Sequence, residues 1–243
     1  MKLEIFPVDH IPEIKPGMNL GECLEDAIRA SELKLVENDI VAVTQKIVSK
    51  AEGRIVRLAT VEPSPESLAI ARRMSKDPRL VELILQESRR IVRMRGEVII
   101  TETHHGFICA NAGIDQSNVG EPETVTLLPK DPDRSAREIA RSLGCGVLIT
   151  DTFGRAWRDG LVDVAIGLAG VPPFIDFRGK KDSYGHDLHV TLLAAADALS
   201  AAAGLAMGKT SLTPAALIRG FEWRKSETNI SALLRPVEKD LFL

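Results

Sequence analysis

The sequence predicts an α+β protein, and three observations favour this class. The charged segment from Leu20 to Leu33 has helix-like spacing of its apolar residues. Short β-branched runs, DIVAV at 39–43 and GVLI at 146–149, are typical of buried strands. Helices and strands do not alternate with the regular rhythm of a doubly wound fold, and no internal repeat occurs. The 243 residues suffice for one large or two small domains, and we expect a compact α+β protein with two lobes.

The predicted elements can be placed in order along the chain. The first half is expected to hold a helix at 20–33, a strand at 39–43, a functional loop at 44–53, helices at 64–74 and 77–93, and a β-hairpin with strands at 97–101 and 107–110. Asp77 and Pro78 support the helix at 77–93, since they suit the N-cap and the first helical position. The second half is expected to hold a turn at 128–133, a helix at 135–143, a strand at 146–149, an irregular basic region at 170–184 and a helix at 192–207.

The composition favours a protein that acts on small molecules. The apolar fraction of 44% and the charged fraction of 27% are ordinary for a globular protein. No apolar run of membrane-spanning length occurs and the N-terminal segment lacks a signal-peptide core, so we predict a cytoplasmic protein without a membrane partner. A net charge of -3 without long blocks of one sign argues against nucleic acid as a partner. Cys23, Cys109 and Cys145 lack CxxC spacing, which favours buried thiols over a disulfide framework or a zinc site.

The segment GLAMGKTS at 204–211 ends like a phosphate-binding P-loop but does not match one. Gly204 lies one residue too close to Gly208, and the preceding Ala-rich segment is predicted to be a helix, whereas a P-loop follows a buried strand. We therefore expect Gly208 to end that helix as a left-handed cap, with Lys209 near the negative end of the helix dipole. A nucleotide, if one binds, must be held by other means.

Two aspartates are candidates for a divalent-metal site. Asp115 lies in NAGIDQSN after a predicted strand, and Asp151 follows the strand GVLI beside small and hydroxyl-bearing residues. Mg²⁺ and Mn²⁺ prefer oxygen ligands and are commonly held by one or two carboxylates together with phosphate oxygens. The alternative is that each aspartate only stabilises a turn, and spacing in the sequence does not establish that the two are close.

Cationic residues in loops are candidates for binding an anion. Arg178 and Lys180 lie in the irregular region, and Arg155 follows Asp151 closely. Such residues clamp phosphate or carboxylate in many sites, but a solvated charge run is an equal alternative. A nucleophile elbow and a Cys/His pairing are both absent from the sequence, so metal, hydroxyl and cationic groups remain, an inventory that fits phosphoryl transfer.

Several long motifs in the same order resemble the coenzyme F420-0:L-glutamate ligases. They are SKAEGR, NAGIDQSN, TDTFGRAWRDG and FRGKKDSYGHDLHVT, and the similarity extends over nearly the whole chain. The resemblance implies a GTP-dependent ligase that adds L-glutamate to F420-0 through an acyl phosphate, with Mg²⁺ or Mn²⁺ and stimulation by potassium. It also implies that residues 1–243 form one α+β ligase unit with two lobes, mixed and antiparallel sheets, and an intertwined homodimer.

The resemblance assigns roles to individual positions. Asp115 and Asp151 match carboxylates of a first metal, and Thr152 matches a contact of a second metal. The matched nucleotide-binding positions are Ile11, Pro12, Glu13, Ile14, Gln45, Lys46, Lys50, Asn118, Gly208, Lys209 and Thr210. We expect Asp115, Asp151 and Lys50 to be the catalytic residues, because metal and lysines offset the phosphate charge. Arg155, Arg178 and Lys180 are expected to contact substrate.

Two positions depart from the family pattern. Lys209 stands where an acidic or amide residue is typical, and a protonated lysine cannot ligate a metal. A hydroxyl of Thr210 or Ser211 could supply that ligand, the ammonium could replace the cation, or activity could be altered or lost; we favour replacement by hydroxyl or ammonium. Phe153 stands where an amide is familiar.

Two other functions remain open at this stage. One is a related nucleotide-dependent ligase that joins an amino acid to another acceptor. The other is a non-catalytic protein that binds a deazaflavin or a nucleotide without turnover.

Overall fold

The computed structural model describes residues 2–116 and 122–240, so Asn118 lies outside the described residues. The α-helices are α1 (Leu20–Ala30), α2 (Gln45–Ala51), α3 (Pro65–Met74), α4 (Pro78–Gln86), α5 (Pro132–Leu143) and α6 (Ala195–Met207). The strands are β1 (Glu4–Pro7), β2 (Ile40–Thr44), β3 (Ile55–Arg57), β4 (Ser88–Arg95), β5 (Val98–Thr103), β6 (Ile108–Ala110), β7 (Thr124–Thr126), β8 (Gly146–Arg155), β9 (Arg158–Ala169), β10 (Phe174–Asp176), β11 (Leu192–Ala194) and β12 (Ala215–Arg219). This mixture of helices and separate sheets confirms the α+β class.

A five-stranded mixed sheet organises the larger hydrophobic core. Its order is β1-β12-β2-β8-β9, in which β2 and β8 are parallel and the other pairs are antiparallel. Strand β2 and the first half of β8 are apolar and buried, as expected for strands covered on both faces, whereas the second half of β8 is more polar and more exposed. Helices α5 and α6 both pack on β9, and α1 packs on α5. The ends of β2 and β8 are thereby fixed beside each other.

A second hydrophobic cluster lies around a three-stranded sheet. That sheet has the order β4-β5-β6, and β3 pairs separately with β7. The cluster joins apolar residues of α3 and α4, including Val81 and Ile84, to Ile99 of β5 and Val125 of β7. No helix in the described part of the chain is long and apolar enough to cross a membrane.

The structure confirms most predicted elements and corrects five. The predicted strand at 146–149 is too short, because β8 continues to Arg155, and the region at 170–184 that was predicted to be irregular contains β10. The predicted helix at 77–93 is wrong beyond Gln86, because residues 88–95 form β4 and pair with β5 after a turn at Gly96. The predicted loop at 44–53 is wrong, since most of it forms α2. The predicted helix at 192–207 begins only at Ala195, after the short strand β11.

Candidate active site

The candidate site lies where β8 extends beyond β2. Thr44 pairs with Thr150 at the end of β2, and β8 then continues to Arg155 paired only with β9. Asp151 and Thr152 are the first residues of this extension. Helix α2 begins at Gln45, directly after β2, and so places its first turn next to the exposed edge of β8.

A β-bulge sets which residue of β9 faces Thr152. Ile149 pairs with Gly167 but Thr150 pairs with Ala165, so Ile166 is the extra residue in β9. The Ala165 amide donates to Asp197 Oδ1 of α6 at 3.0 Å. Beyond the bulge Thr152 lies opposite Asp163, and directly opposed residues project from the same face of a sheet. Asp151 points to the other face.

Asp115 reaches the site from the segment before β7. Its backbone exchanges two hydrogen bonds with Thr126, which hold the chain at that point. Its carboxylate forms an ion pair with Lys46 of α2, with 2.8 Å between Oδ2 and Nζ. The structure therefore joins two of the predicted site residues, Asp115 and Lys46.

Asp151 lies close to two other carboxylates. Burial, together with the charges of Asp115 and Asp163, raises the pKa of Asp151 to about 7, and a backbone hydrogen bond at Thr152 and the charge of Lys46 oppose this rise. Burial together with the Asp151 charge also raises the pKa of Cys109 to about 12, so this thiol is protonated and unsuited to act as a nucleophile. The sequence predicted Asp115 and Asp151, and the structure places them within electrostatic range of each other.

Thr152, Asp163 and Lys209 form a closed hydrogen-bonded cluster. Thr152 Oγ1 donates to Asp163 Oδ1 at 2.5 Å. Lys209 Nζ donates to Thr152 Oγ1 at 2.8 Å and to Asp163 Oδ1 and Oδ2 at 2.8 and 3.1 Å. Lys209 belongs to the segment after α6, which is turned by Gly208 with φ 64° and ψ -172°. Gly208 thus has the expected positive φ, but its ψ is not that of the predicted left-handed cap.

The donor set is suited to one hard divalent cation. Asp115 and Asp151 offer carboxylate oxygens, the ligand type that Mg²⁺ and Mn²⁺ prefer, and the charge of a bound cation would favour the ionised form of Asp151, whose pKa is raised chiefly by burial. Among the described residues, no three His, Cys, Asp or Glu side chains are arranged so that they could hold a metal ion together. Further ligands would have to come from hydroxyl groups, water or substrate oxygens.

The remaining predicted nucleotide-binding residues differ in their exposure and contacts. Lys50 is buried, and its Nζ pairs with Oε1 of the exposed Glu13 at 2.6 Å. Gln45 is buried and accepts from Ser49 at 2.8 Å. Ile14 is a core residue, so only its backbone could contact a ligand. Ile11 packs partly against the same core, and Pro12 and Thr210 are exposed.

The predicted substrate-binding cations make local contacts. Arg155 donates to backbone carbonyls of Asp159 and Gly160 within the turn of the β8–β9 hairpin. Arg178 forms a two-pronged pair with Asp176 at 2.9 and 2.6 Å. Lys180 Nζ lies 5.2 Å from the centre of the Phe177 ring. Each of these contacts orders its own loop.

Sequence reasoning missed Asp163 and Gly204. Asp163 stands in the middle of a β-branched run, VDVAIG, where a lone acidic residue gives no sign of which face it occupies. Gly204 stands out in the sequence only as the first glycine of GLAMGKTS, a segment that does not match a P-loop. The alternation of Asp163 with apolar residues was the available signal, but the bulge at Ile166 decides what it faces.

A polar site with paired charges at the end of a mixed sheet is characteristic of an enzyme. A family model described as F420-0:Gamma-glutamyl ligase matches residues 9–220. The chain therefore belongs to the F420-0:gamma-glutamyl ligase family, which confirms the resemblance noted in its motifs.

Curated relatives cover the whole chain. One named coenzyme F420:L-glutamate ligase from Methanothermobacter thermautotrophicus is 44% identical, with 100% of this chain and 99% of that protein aligned. Relatives of the same name from Methanopyrus kandleri and Methanocaldococcus jannaschii are 43% and 35% identical, and each alignment covers 99% of this chain and 97% of the relative.

Proposed function

We propose that this protein is a GTP-dependent ligase that joins L-glutamate to coenzyme F420-0 and then extends the product by a γ-linked glutamate. The observation that carries the proposal is the full-length similarity to proteins named coenzyme F420:L-glutamate ligase. The charged site at the ends of β2 and β8 supports it, since phosphoryl transfer requires positioned cations and oxygen ligands rather than a side-chain nucleophile.

The proposed chemistry has two steps. A carboxylate oxygen of F420-0 attacks the γ-phosphorus of GTP, so that an acyl phosphate forms and GDP leaves. The amine of L-glutamate then attacks the acyl carbon, an amide bond forms, inorganic phosphate leaves, and the amine loses a proton. GTP supplies the free energy, so no oxidant or reductant is needed.

The residues of the site have distinct parts in this scheme. Lys46 and Lys50 lie four residues apart on α2, on one helical face, and would neutralise phosphate oxygens once Asp115 and Glu13 are released from them. Asp115 and Asp151 would hold Mg²⁺ or Mn²⁺, which when bound supplies charge stabilisation to the phosphate groups. Asn118, Gly208 and Thr210 would contact the nucleotide, and potassium would stimulate the reaction.

The wider expectations belong to the same proposal. We propose that residues 1–243 act as one ligase unit with two lobes, that two copies form an intertwined homodimer, and that the protein is cytoplasmic. Arg155, Arg178 and Lys180 would contact the acceptor or the amino acid after exchange of their present partners.

The first experiment measures product mass and GDP together. The purified protein is incubated with F420-0, L-glutamate, GTP and Mn²⁺, beside Asp115→Ala and the control Asp26→Ala on the exposed face of α1. Wild type and the control should add one or more glutamyl units with stoichiometric GDP, whereas Asp115→Ala should be slower by about a hundredfold to a thousandfold, because a charge-stabilising centre is lost. Binding of GTP without any GDP release would refute the ligase and favour the non-catalytic binder.

Isotope transfer tests the acyl phosphate separately. F420-0 labelled with oxygen-18 in its reacting carboxylate should pass one labelled oxygen to inorganic phosphate, because the acyl C–O bond breaks in the second step. Parallel reactions with ATP and with other amino acids test the nucleotide and the amino acid. A product formed only with another acceptor would identify the related ligase instead.

A further inference from the structure

We propose that Asp163 is a positioning residue that fixes the ammonium group of Lys209 in the candidate site, in a space that Gly204 leaves open. The structure thus assigns a role to two residues outside the predicted site. What Lys209 then binds, the phosphate groups of the nucleotide, rests on the proposed function. The hydrogen-bonded arrangement of Asp163, Thr152 and Lys209, called the clamp below, does not rest on it.

Burial distinguishes this ion pair from an ordinary surface contact. The Asp163 side chain is only 7% exposed, while that of Lys209 is 62% exposed. An exposed lysine stem therefore directs its tip into a buried carboxylate. Lys209 supplies a positive charge next to Asp163. Without such a partner, burial of the carboxylate would lower the stability of the folded protein. Charge-assisted hydrogen bonds of this kind are shorter and stronger than neutral ones.

Gly204 provides the room for the buried carboxylate. A Cβ atom built at position 204 would collide with Oδ2 of Asp163 and lie 2.7 Å from its Cγ. Gly204 is in the interior of α6, where glycine is less favourable than alanine. Its presence there is explained by the approach of Asp163 to the helix.

The clamp places a cation at Thr152, a predicted metal contact, while the side chain of the neighbouring Asp151 points to the other face of β8. Thr152, which accepts from Lys209, is adjacent in sequence to Asp151. An ammonium that is ordered before the nucleotide arrives loses little rotamer freedom on binding, and preorganised charge is the usual way in which enzymes stabilise a transferring phosphoryl group. Lys209 is thus a resident positive charge of the site, held by Asp163 and Thr152.

The first test measures the reactivity of the Lys209 amine. Wild type, Asp163→Asn, Gly204→Ala and the control Leu205→Ala, which alters an exposed neighbour on α6, are treated with an amine-acylating reagent, and labelling of each lysine is followed by mass spectrometry. Labelling of Lys209 should rise by about tenfold in Asp163→Asn and Gly204→Ala, because the amine loses its charge-assisted hydrogen bonds to the buried carboxylate. It should be unchanged in Leu205→Ala, and the other lysines serve as internal references.

The second test measures GTP affinity by calorimetry in Mn²⁺ buffer. Asp163→Asn and Gly204→Ala should weaken binding by about three- to tenfold, the cost of ordering one long side chain. Lys209→Met should weaken it at least as much, and Lys209→Arg should keep most of the affinity because the charge is retained. In turnover, the change should fall on the KM for GTP more than on kcat. Thermal melting shows whether each variant is folded.

Each result has one meaning. Unchanged Lys209 labelling in folded Asp163→Asn and Gly204→Ala would overturn the clamp. Increased labelling with unchanged GTP affinity in Asp163→Asn and Lys209→Met would overturn its role in the site. A wild type that binds GTP but forms no glutamyl product would refute the proposed function while the labelling result still decides the clamp.

Discussion

Asp151 is the residue whose protonation depends most on its surroundings in the candidate site. Its raised pKa means that the folded protein retains a proton that the unfolded chain has already released. The metal-free protein should therefore lose stability as pH rises from about 4, the pKa of a free aspartate, to about 7. Above that range the carboxylate is charged in both the folded and the unfolded state, so its unfavourable contribution to folding no longer changes with pH.

Replacing Asp151 by asparagine should remove this cost. In EDTA, Asp151→Asn is expected to melt at a higher temperature than wild type at pH 8 and to differ little at pH 4, because at pH 4 the wild-type side chain is already neutral. Thermal unfolding at one-unit pH intervals measures the difference. Asp26→Asn, an exposed site on α1, should follow the wild-type curve throughout. An equal effect of Asp151→Asn at both pH values would show that the carboxylate is not responsible.

The sequence revealed only some of the residues that meet at this site. Asp115 and Asp151 were predictable because each follows a strand and has small or polar neighbours. Their proximity depends on the parallel pairing of β2 with β8 and on the ion pair with Lys46, which no local pattern contains. Asp163 was not predictable, because one extra residue at Ile166 changes which face of β9 it occupies.

At the scale of the elements, β9 is held between two helices by close backbone approaches. Its residue Gly167 faces the start of α5, where a Cβ atom would lie 2.6 Å from the carbonyl carbon of Pro132. Asp133, the next residue of α5, is buried and accepts from the Leu168 amide at 2.9 Å. Glycine at this point allows strand and helix to approach closely enough for that bond.

Gly167→Ala should therefore destabilise the protein. The added methyl meets backbone atoms that cannot move without shifting α5, and overpacking of this kind costs about 1–3 kcal/mol. Urea unfolding measures the loss. Gly154→Ala, in the paired strand β8 with nothing within 4 Å of the added Cβ, is the matched control and should leave stability nearly unchanged. Equal stabilities of the two variants would contradict the close approach.

Tertiary pairing also explains the errors in element prediction. The segment SRRIVR at 88–93 was predicted to continue a helix because its apolar residues fit that spacing, but it pairs with β5 as part of strand β4. Conversely, QKIVSKA was predicted to be a loop because of its polar and basic residues. It forms α2, and five of its residues are buried, namely Gln45, Ile47, Val48, Ser49 and Lys50. Local composition did not contain these partners.

At the scale of the whole molecule, two segments each present more than one strongly exposed apolar side chain. Trp157 and Leu161 of the β8–β9 hairpin are 81% and 70% exposed, and Val190 and Leu193 near β11 are 88% and 52% exposed. The strands β10 and β11 form a sheet of only two strands, an arrangement that is marginally stable without further packing. These surfaces are the natural candidates for the proposed contact with a second copy of the chain.

Light scattering after size exclusion tests that contact. At micromolar concentration the wild type should have twice the 26.5 kDa mass of one chain. Leu161→Asp and Val190→Asp should shift the mass toward one chain, because a carboxylate would lose its hydration in an apolar interface. Val237→Asp is the control, since that residue is 75% exposed and far along the chain from both segments, and it should leave the mass unchanged. A wild type of 26.5 kDa would refute the dimer, and a wild-type dimer that persists in both interface variants would place the contact on another surface.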